Sequence, residues 1–220
     1  MVAQEWILLV ASAITLLLLR VWFVLPYRRR RRGSWDPILA GRDEDRETIS
    51  TMIVLGSGGH TSEMLKLTAH LSPSVYAPVH YVVARTDHTS ADRIPSNHLT
   101  SNRCKVVTIP RSREVGQPWL SSFLTTLWAA LHSALLVVKV RPDLVLVNGP
   151  GTCVPICLVA FILRVFGDQR GRIVFCESFC RVRSLSLTGK IMYRLADRFV
   201  VHWPELLGAY PHAEYIGQLL

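Results

Sequence analysis

The run Ile49-Ser50-Thr51-Met52-Ile53-Val54-Leu55 stops abruptly at Gly56-Ser57-Gly58-Gly59-His60-Thr61. An apolar, β-branched stretch that ends on glycines and passes into helix-like spacing predicts a strand, a tight turn and a helix. α/β domains build anion sites in this order. Glycine has no Cβ, so the backbone can turn sharply and approach a ligand closely. The N–H groups of the first helical turn have no partner inside the helix and point at whatever occupies the turn. Thr61 with Ser62 is expected to cap that helix, and Glu63 and Met64 to continue it. Phosphate or diphosphate is the guest such a corner fits. The stretch is not a P-loop: Thr61 stands where that motif has its second glycine, and the Lys-Ser/Thr pair is missing. It is also a poor dinucleotide fingerprint, because Thr61 takes the third glycine's place and Asp87 follows about thirty residues on rather than about twenty. The alternative is a tight turn that binds nothing.

Trp6 to Leu25 forms a mostly apolar run of about twenty residues, near the length that crosses a bilayer as a helix. Arg20 lies near its end, where a long side chain can snorkel to the headgroups. Trp6, Trp22 and Tyr27 flank the run as interfacial aromatics do. A cleaved signal peptide carries its positive charge before a shorter apolar core, whereas here Arg28 to Arg32 come after a long one. The expected organisation is a short lumenal N-terminus (1–5), a transmembrane anchor (6–25), a basic juxtamembrane segment and linker (26–47) and a cytosolic lobe (48–220). The roughly 180 residues beyond the anchor suffice for one well-buried domain. The formal net charge of +9 is partly this arginine block, so a membrane surface is a better partner than nucleic acid. Cys104, Cys153, Cys157, Cys176 and Cys180 are odd in number and lack zinc-ligand spacing. Buried free thiols in a reducing compartment are expected, with no metal and no cofactor.

Further strands are expected at His80–Ala84, Lys105–Ile109, Leu144–Val147, Arg172–Cys176 and Phe199–His202. Between them fall helical stretches at Ser62–Leu71, Trp119–Val140, Cys153–Phe166 and Lys190–Asp197, and a weak one at Ser90–Leu99. Trp119–Val140 has the length of a second span, but serines, threonines and His132 dilute it. A domain helix that serves as a crossover is favoured, and its apolar face can still lie on a bilayer. Strands alternating with helical crossovers give an α/β fold class, a doubly wound, mostly parallel sheet behind one N-terminal transmembrane helix. Three strand ends, Gly56–His60, Gly149–Thr152 and Glu177–Arg181, are then expected to converge, and ligands of open parallel sheets bind beyond such ends near the switch point.

Gly56-Ser57-Gly58-Gly59-His60-Thr61, Pro110-Arg111-Ser112-Arg113-Glu114, Asn148-Gly149-Pro150-Gly151-Thr152, Glu177-Ser178-Phe179-Cys180-Arg181 and Trp203-Pro204-Glu205-Leu206 together resemble one family. It is the membrane-anchoring subunit family of the dolichol-pathway UDP-N-acetylglucosamine transferase. The resemblance implies a single Rossmann-like lobe, similar to the N-terminal, acceptor-binding half of the GT-B enzyme MurG. It implies a soluble, donor-binding catalytic subunit as partner, GlcNAc-diphospho-dolichol as acceptor, and a single-pass protein of the endoplasmic reticulum membrane facing the cytosol. On that reading Gly56, Ser57, Gly58, Gly59, His60, Thr61, Gly149, Gly151, Thr152 and Arg181 hold the acceptor diphosphate, with Arg111 a further candidate. His60 and Glu177 are candidates for general base. A histidine that only hydrogen-bonds the loop and a glutamate that only caps a helix remain open. Ile216, Gly217, Leu219 and Leu220 are expected to dock on the partner subunit, with a terminal strand of this domain's own sheet as the other possibility.

Overall fold

The computed structural model describes residues 2–26, 48–96, 103–111, 118–149, 151–168 and 170–217. The juxtamembrane arginines, most of the linker, Ser112 to Glu114, Pro150, Leu219 and Leu220 lie outside the described residues.

Among the described residues, seven strands form one sheet: β1 (Thr51–Val54), β2 (Val79–Ala84), β3 (Cys104–Ile109), β4 (Leu144–Val147), β5 (Arg172–Cys176), β6 (Arg198–Val201) and β7 (Glu214–Tyr215). Their order across the sheet is β3-β2-β1-β4-β5-β6-β7, and every neighbouring pair is parallel. The chain therefore winds outward from β1 to β3, returns to β1's other side, and winds outward again. The return is made by the helix α4 (Trp119–Val140), preceded by α1 (Val2–Val24), α2 (Gly59–Thr68) and α3 (His88–Asp92). It is followed by α5 (Cys153–Val165), α6 (Leu187–Leu195) and α7 (Leu206–Ala209). In register, Val54 of β1 stands between Val82 of β2 and Val147 of β4. The carboxyl ends of the central strands are thus level, and the switch point of the winding falls between β1 and β4.

The doubly wound sheet expected from the pattern is present. β1, β4 and β5 read as near-continuous apolar runs because helices cover both their faces. One core cluster joins Met52, Val54, Val145, Val147, Phe175 and Phe199 to the buried face of α5. Ile53, Leu55, Tyr81, Val83 and Met64 of α2 form a second, on the other face. Phe175 and Phe199 stack across neighbouring strands with centroids 4.9 Å apart. One buried ionic group had no signature in the sequence pattern. Arg164 of α5 donates to Asp197 Oδ2 at 2.6 Å, Arg172 of β5 donates to Oδ1 at 3.4 Å, and the Ile173 N–H donates to Oδ2 at 2.8 Å. Asp197 thereby ties α5, β5 and the start of β6 together, and removing one member leaves a buried charge without its partner.

α1 is long and apolar enough to cross a membrane over Gln4–Val24. Its residues 4–20 expose their side chains, whereas Val24 joins the domain core beside Val21 and Leu25. Arg20 has a partner within the domain. Its Nε donates to the Val165 carbonyl at 3.1 Å, at the C-terminal end of α5. Helix C-terminal carbonyls lack intrahelical donors, and a cation there also meets the negative end of the helix dipole. α4 is a domain helix packed on α5, as its role as crossover requires. It nevertheless keeps Leu124, Leu127, Trp128, Leu131, Leu135 and Val138 exposed along one stripe. All five cysteines are free thiols, but Cys180 is exposed, because it lies in the turn after β5 rather than on it.

Candidate functional site

β1 ends at the first glycine corner. Gly58 takes φ +66°, a conformation that favours glycine, and is the N-cap of α2. The helix starts at Gly59, earlier than expected, so Thr61 is not a cap. Its side chain is fully buried and its hydroxyl turns back to the Gly56 carbonyl and to Ser90 Oγ, the latter at 2.6 Å. Ser90 Oγ in turn donates to Asp87 Oδ2 at 2.6 Å, and the Ser90 N–H donates to Asp87 Oδ1. This buried chain of hydroxyls and carboxylate holds the Gly56 carbonyl inward. Arg93 fixes the outer side, its Nη1 donating to the Gly58 carbonyl at 3.2 Å and to Ser62 Oγ at 3.1 Å.

β4 ends at the second corner. Asn148 is completely buried, and its Nδ2 donates to the His60 carbonyl at 2.7 Å. Gly149 takes φ +87°, and a Cβ there would stand 3.1 Å from His60 Cε1. The corners therefore touch, with the imidazole of one packed on the bare backbone of the other. Between them opens a cleft of about 390 Å³. Gly56, Ser57, His60, Asp87 and Arg111 line it from one side, and Gly151, Thr152, Val154 and Pro155 from the other, with Thr126 of α4. Gly59 and Gly151 leave open space where a side chain would be. Arg111 Nη2 donates to Ser57 Oγ at 3.4 Å. The start of α2, the start of α5 and a guanidinium thus converge, which suits a small, doubly charged anion.

The candidate residues separate clearly. Gly56, Ser57, His60, Gly151, Thr152 and Arg111 line the cleft; Gly58, Gly59, Thr61 and Gly149 shape it from behind. Arg181 does not line it: its side chain is exposed and its N–H donates to the Ser178 carbonyl in the turn beyond β5. Glu177 is a correction as candidate base. It is 1% exposed, Oε1 accepts from the Ser178 N–H, and Oε2 accepts from the N–H and hydroxyl of Ser186. Ser186 is the N-cap of α6 and accepts from the Gly189 N–H. Glu177 thus joins the end of β5 to a helix start, and a Cβ on Gly189 would fall 2.0 Å from its Oε2. Ile216 is exposed beside the edge strand β7, which pairs with β6, and Gly217 takes φ +95°.

Sequence reasoning missed Asp87's role, Ser90, Arg93, Asn148 and Glu63. Asn148 alone left a signal, a polar residue closing an apolar strand just before a glycine. Glu63 lies behind His60. Its Oε1 accepts from Ser178 Oγ at 3.0 Å, and its Oε2 stands 3.5 Å from Asn148 Nδ2. Cys176 and His202 close this interior, 3.4 Å apart from Sγ to Nε2. Burial, and then the carboxylates of Glu63 and Glu177, push the Cys176 thiol up to about 12. Burial pulls His202 below its ordinary value, against the opposing pull of Glu63.

Comparison with known proteins bears on this geometry at two levels. The fold is similar to that of MurG from Acinetobacter baumannii, with TM-score 0.52 and 16% identity over 72% of this chain. This chain spans 42% of the MurG chain. At sequence level it is 45% identical to the human UDP-N-acetylglucosamine transferase subunit ALG14, covering 93% of this chain and 92% of that one. The subunit of the same name from Schizosaccharomyces pombe is 43% identical over 76% of this chain and 81% of its own. Residues 51–219 match the family model described as oligosaccharide biosynthesis protein Alg14 like. With the match running from β1 through both glycine corners to the edge strand, the chain belongs to the Alg14 family.

Proposed function

We propose that this chain is the acceptor-binding, membrane-anchoring subunit of a UDP-N-acetylglucosamine transferase, and that its cleft holds the diphosphate of the lipid-linked acceptor sugar. The observation that carries the reading is the meeting of two helix starts and Arg111 in one cleft at the switch point. Backbone N–H groups there, with the Arg111 guanidinium, offer hydrogen-bond donors to two phosphates. The acceptor is GlcNAc-diphospho-dolichol, which receives a second GlcNAc on the cytosolic face of the endoplasmic reticulum. The names of the relatives support a transferase role. That the relatives are named as a transferase subunit supports a soluble catalytic partner that brings UDP-GlcNAc, with Ile216 and Gly217 at its docking edge.

Residues 6–25 anchor the lobe, 26–47 tether it and place arginines at anionic lipid, and 48–220 form the cytosolic body. The exposed stripe of α4 supports a lobe that rests on the bilayer. Thr126 of the same helix lines the cleft, so a lipid-borne diphosphate has a short path into it.

Gly151→Leu tests the cleft. Gly151 lines it with open space around its Cβ position, so the substitution fills the cleft while leaving folding and membrane insertion intact. Transfer to a short-chain GlcNAc-diphospho-lipid by the chain assembled with its partner is expected to fall at least about a hundredfold. Undiminished transfer refutes the site.

A further inference from the structure

Glu63 follows His60 by three residues on α2, and its Oε2 stands 3.7 Å from His60 Nδ1. That nitrogen is buried and has no hydrogen-bond partner. The imidazole as a whole is 36% exposed. The ring packs on Gly149 through Cε1, Nδ1 but not Nε2 is among the buried, unpartnered atoms, and the residue borders the cleft. The carboxylate is held from three elements: α2 carries it, Ser178 beyond β5 donates to Oε1, and Asn148 at the end of β4 faces Oε2. A glutamate placed only to favour a helix N-terminus needs no such support, and its side chain would be exposed, whereas Glu63's is 16% exposed. Of the groups packed behind it, Cys176 stays a neutral thiol and His202 is disfavoured as a cation by burial. His60 is then the imidazole placed to donate a hydrogen bond to the carboxylate, while Asp87 and Arg111 are the charged groups that line the cleft with it.

We propose that Glu63 is a positioning residue for sugar transfer: its Oε2 takes the Nδ1–H of His60 and fixes the tautomer that turns the Nε2 lone pair into the cleft. The proposal rests on the cleft being the acceptor site. The acceptor hydroxyl oxygen attacks the anomeric carbon of the sugar nucleotide, and the bond to the nucleoside diphosphate breaks with its electron pair leaving on the diphosphate. The hydroxyl proton passes to Nε2 of His60, and Glu63 stabilises the resulting imidazolium until it releases the proton to water. The 3.7 Å separation closes to a hydrogen bond by a small rotation of either side chain, as such pairs tighten when substrate binds.

The test uses the full chain assembled with its donor-binding partner in detergent micelles. In Glu63→Gln, kcat for transfer to a short-chain GlcNAc-diphospho-lipid is expected to fall about tenfold to a hundredfold. The acceptor KM should stay within about threefold, and Glu63→Asp should recover part of kcat. Nitrogen-15 spectra of labelled histidine, assigned by the signal lost in His60→Gln, should show the His60 ring moving from the Nδ1–H to the Nε2–H tautomer. A role confined to packing moves neither the tautomer nor kcat alone. Should Glu63→Gln fail to assemble, Ser178→Ala frees Oε1 while leaving the glutamate in place, and a several-fold loss in kcat at constant KM is expected. Full kcat in Glu63→Gln, or an unmoved tautomer, overturns the proposal while the cleft stands if His60→Gln is inactive. If His60→Gln transfers at the full rate, the reading of the cleft at His60 falls, and this proposal with it.

Discussion

The two glycine corners look alike in sequence, each an apolar strand running into glycines and then a helix, yet they are held by different means. The corner after β1 is braced by its own surroundings. Thr61, Ser90 and Asp87 hold the Gly56 carbonyl from within, and Arg93 holds the Gly58 carbonyl from outside. The corner after β4 takes its shape from the first. Asn148 donates to the His60 carbonyl, and Gly149 is bare because the His60 ring stands against it. A strand–glycine–helix junction therefore specifies a turn, but its rigidity comes from whatever packs behind it.

The largest expected effect strikes the place where the corners meet. Gly149→Ala forces a Cβ to φ +87° and to within 3.1 Å of His60 Cε1, at a cost of about 1–3 kcal/mol. Transfer should drop about a hundredfold through displacement of the ring. Gly151→Ala, with open space at its Cβ position, should leave the thermal unfolding midpoint unchanged. Equal losses of stability in the two variants would break the distinction between a contact glycine and a clearance glycine.

An intermediate effect tests the bracing. Ser90→Ala removes the hydroxyl between Thr61 and Asp87 and should destabilise the lobe by about 1–2 kcal/mol, a fall of roughly 2–8 °C in unfolding midpoint. Acceptor KM should rise as the first corner loosens. A variant as stable as the parent would mean that the chain of hydroxyls does not stiffen the loop.

The smallest effect concerns the interior behind both corners. Burial lowers the pKa of His202, and of His80, with Lys105 adding to the shift at His80. Such a group binds more protons unfolded than folded, so its stability contribution is present above the ordinary histidine value. That contribution is lost as pH falls through the lowered, folded value. The unfolding midpoint should decline on acidification below about pH 6.5, and His202→Gln should flatten part of that decline. An unchanged slope would assign the dependence to His80 and other groups.

Much of this was legible in the chain itself. The strand positions, the long crossover at Trp119–Val140 and the convergence of Gly56–Thr61 with Gly149–Thr152 follow from apolar runs and glycine punctuation, which are local properties. Less legible were the polar partners. Thr61 reads as a cap because it follows glycines and precedes a helical pattern, but the helix begins sooner, at Gly59 with Gly58 as its cap, and the Thr61 hydroxyl turns inward. Glu177 reads as a base because it follows a strand in a familiar motif, but Ser186, nine residues on, folds back to occupy its carboxylate. Arg181 and Arg111 look equivalent as cations after strands, and only Arg111 lines the cleft.

By itself, then, the order of apolar and glycine residues determined a doubly wound parallel sheet, an apolar N-terminal helix and two glycine turns at strand ends. Those features depend on backbone geometry and hydrophobic period, which each stretch carries within a dozen residues. The tertiary structure alone decided which polar side chains face the cleft and which face one another. Those choices join residues such as Glu63 and Ser178, or Thr61 and Ser90, that lie far apart in the chain and meet only when the strands align.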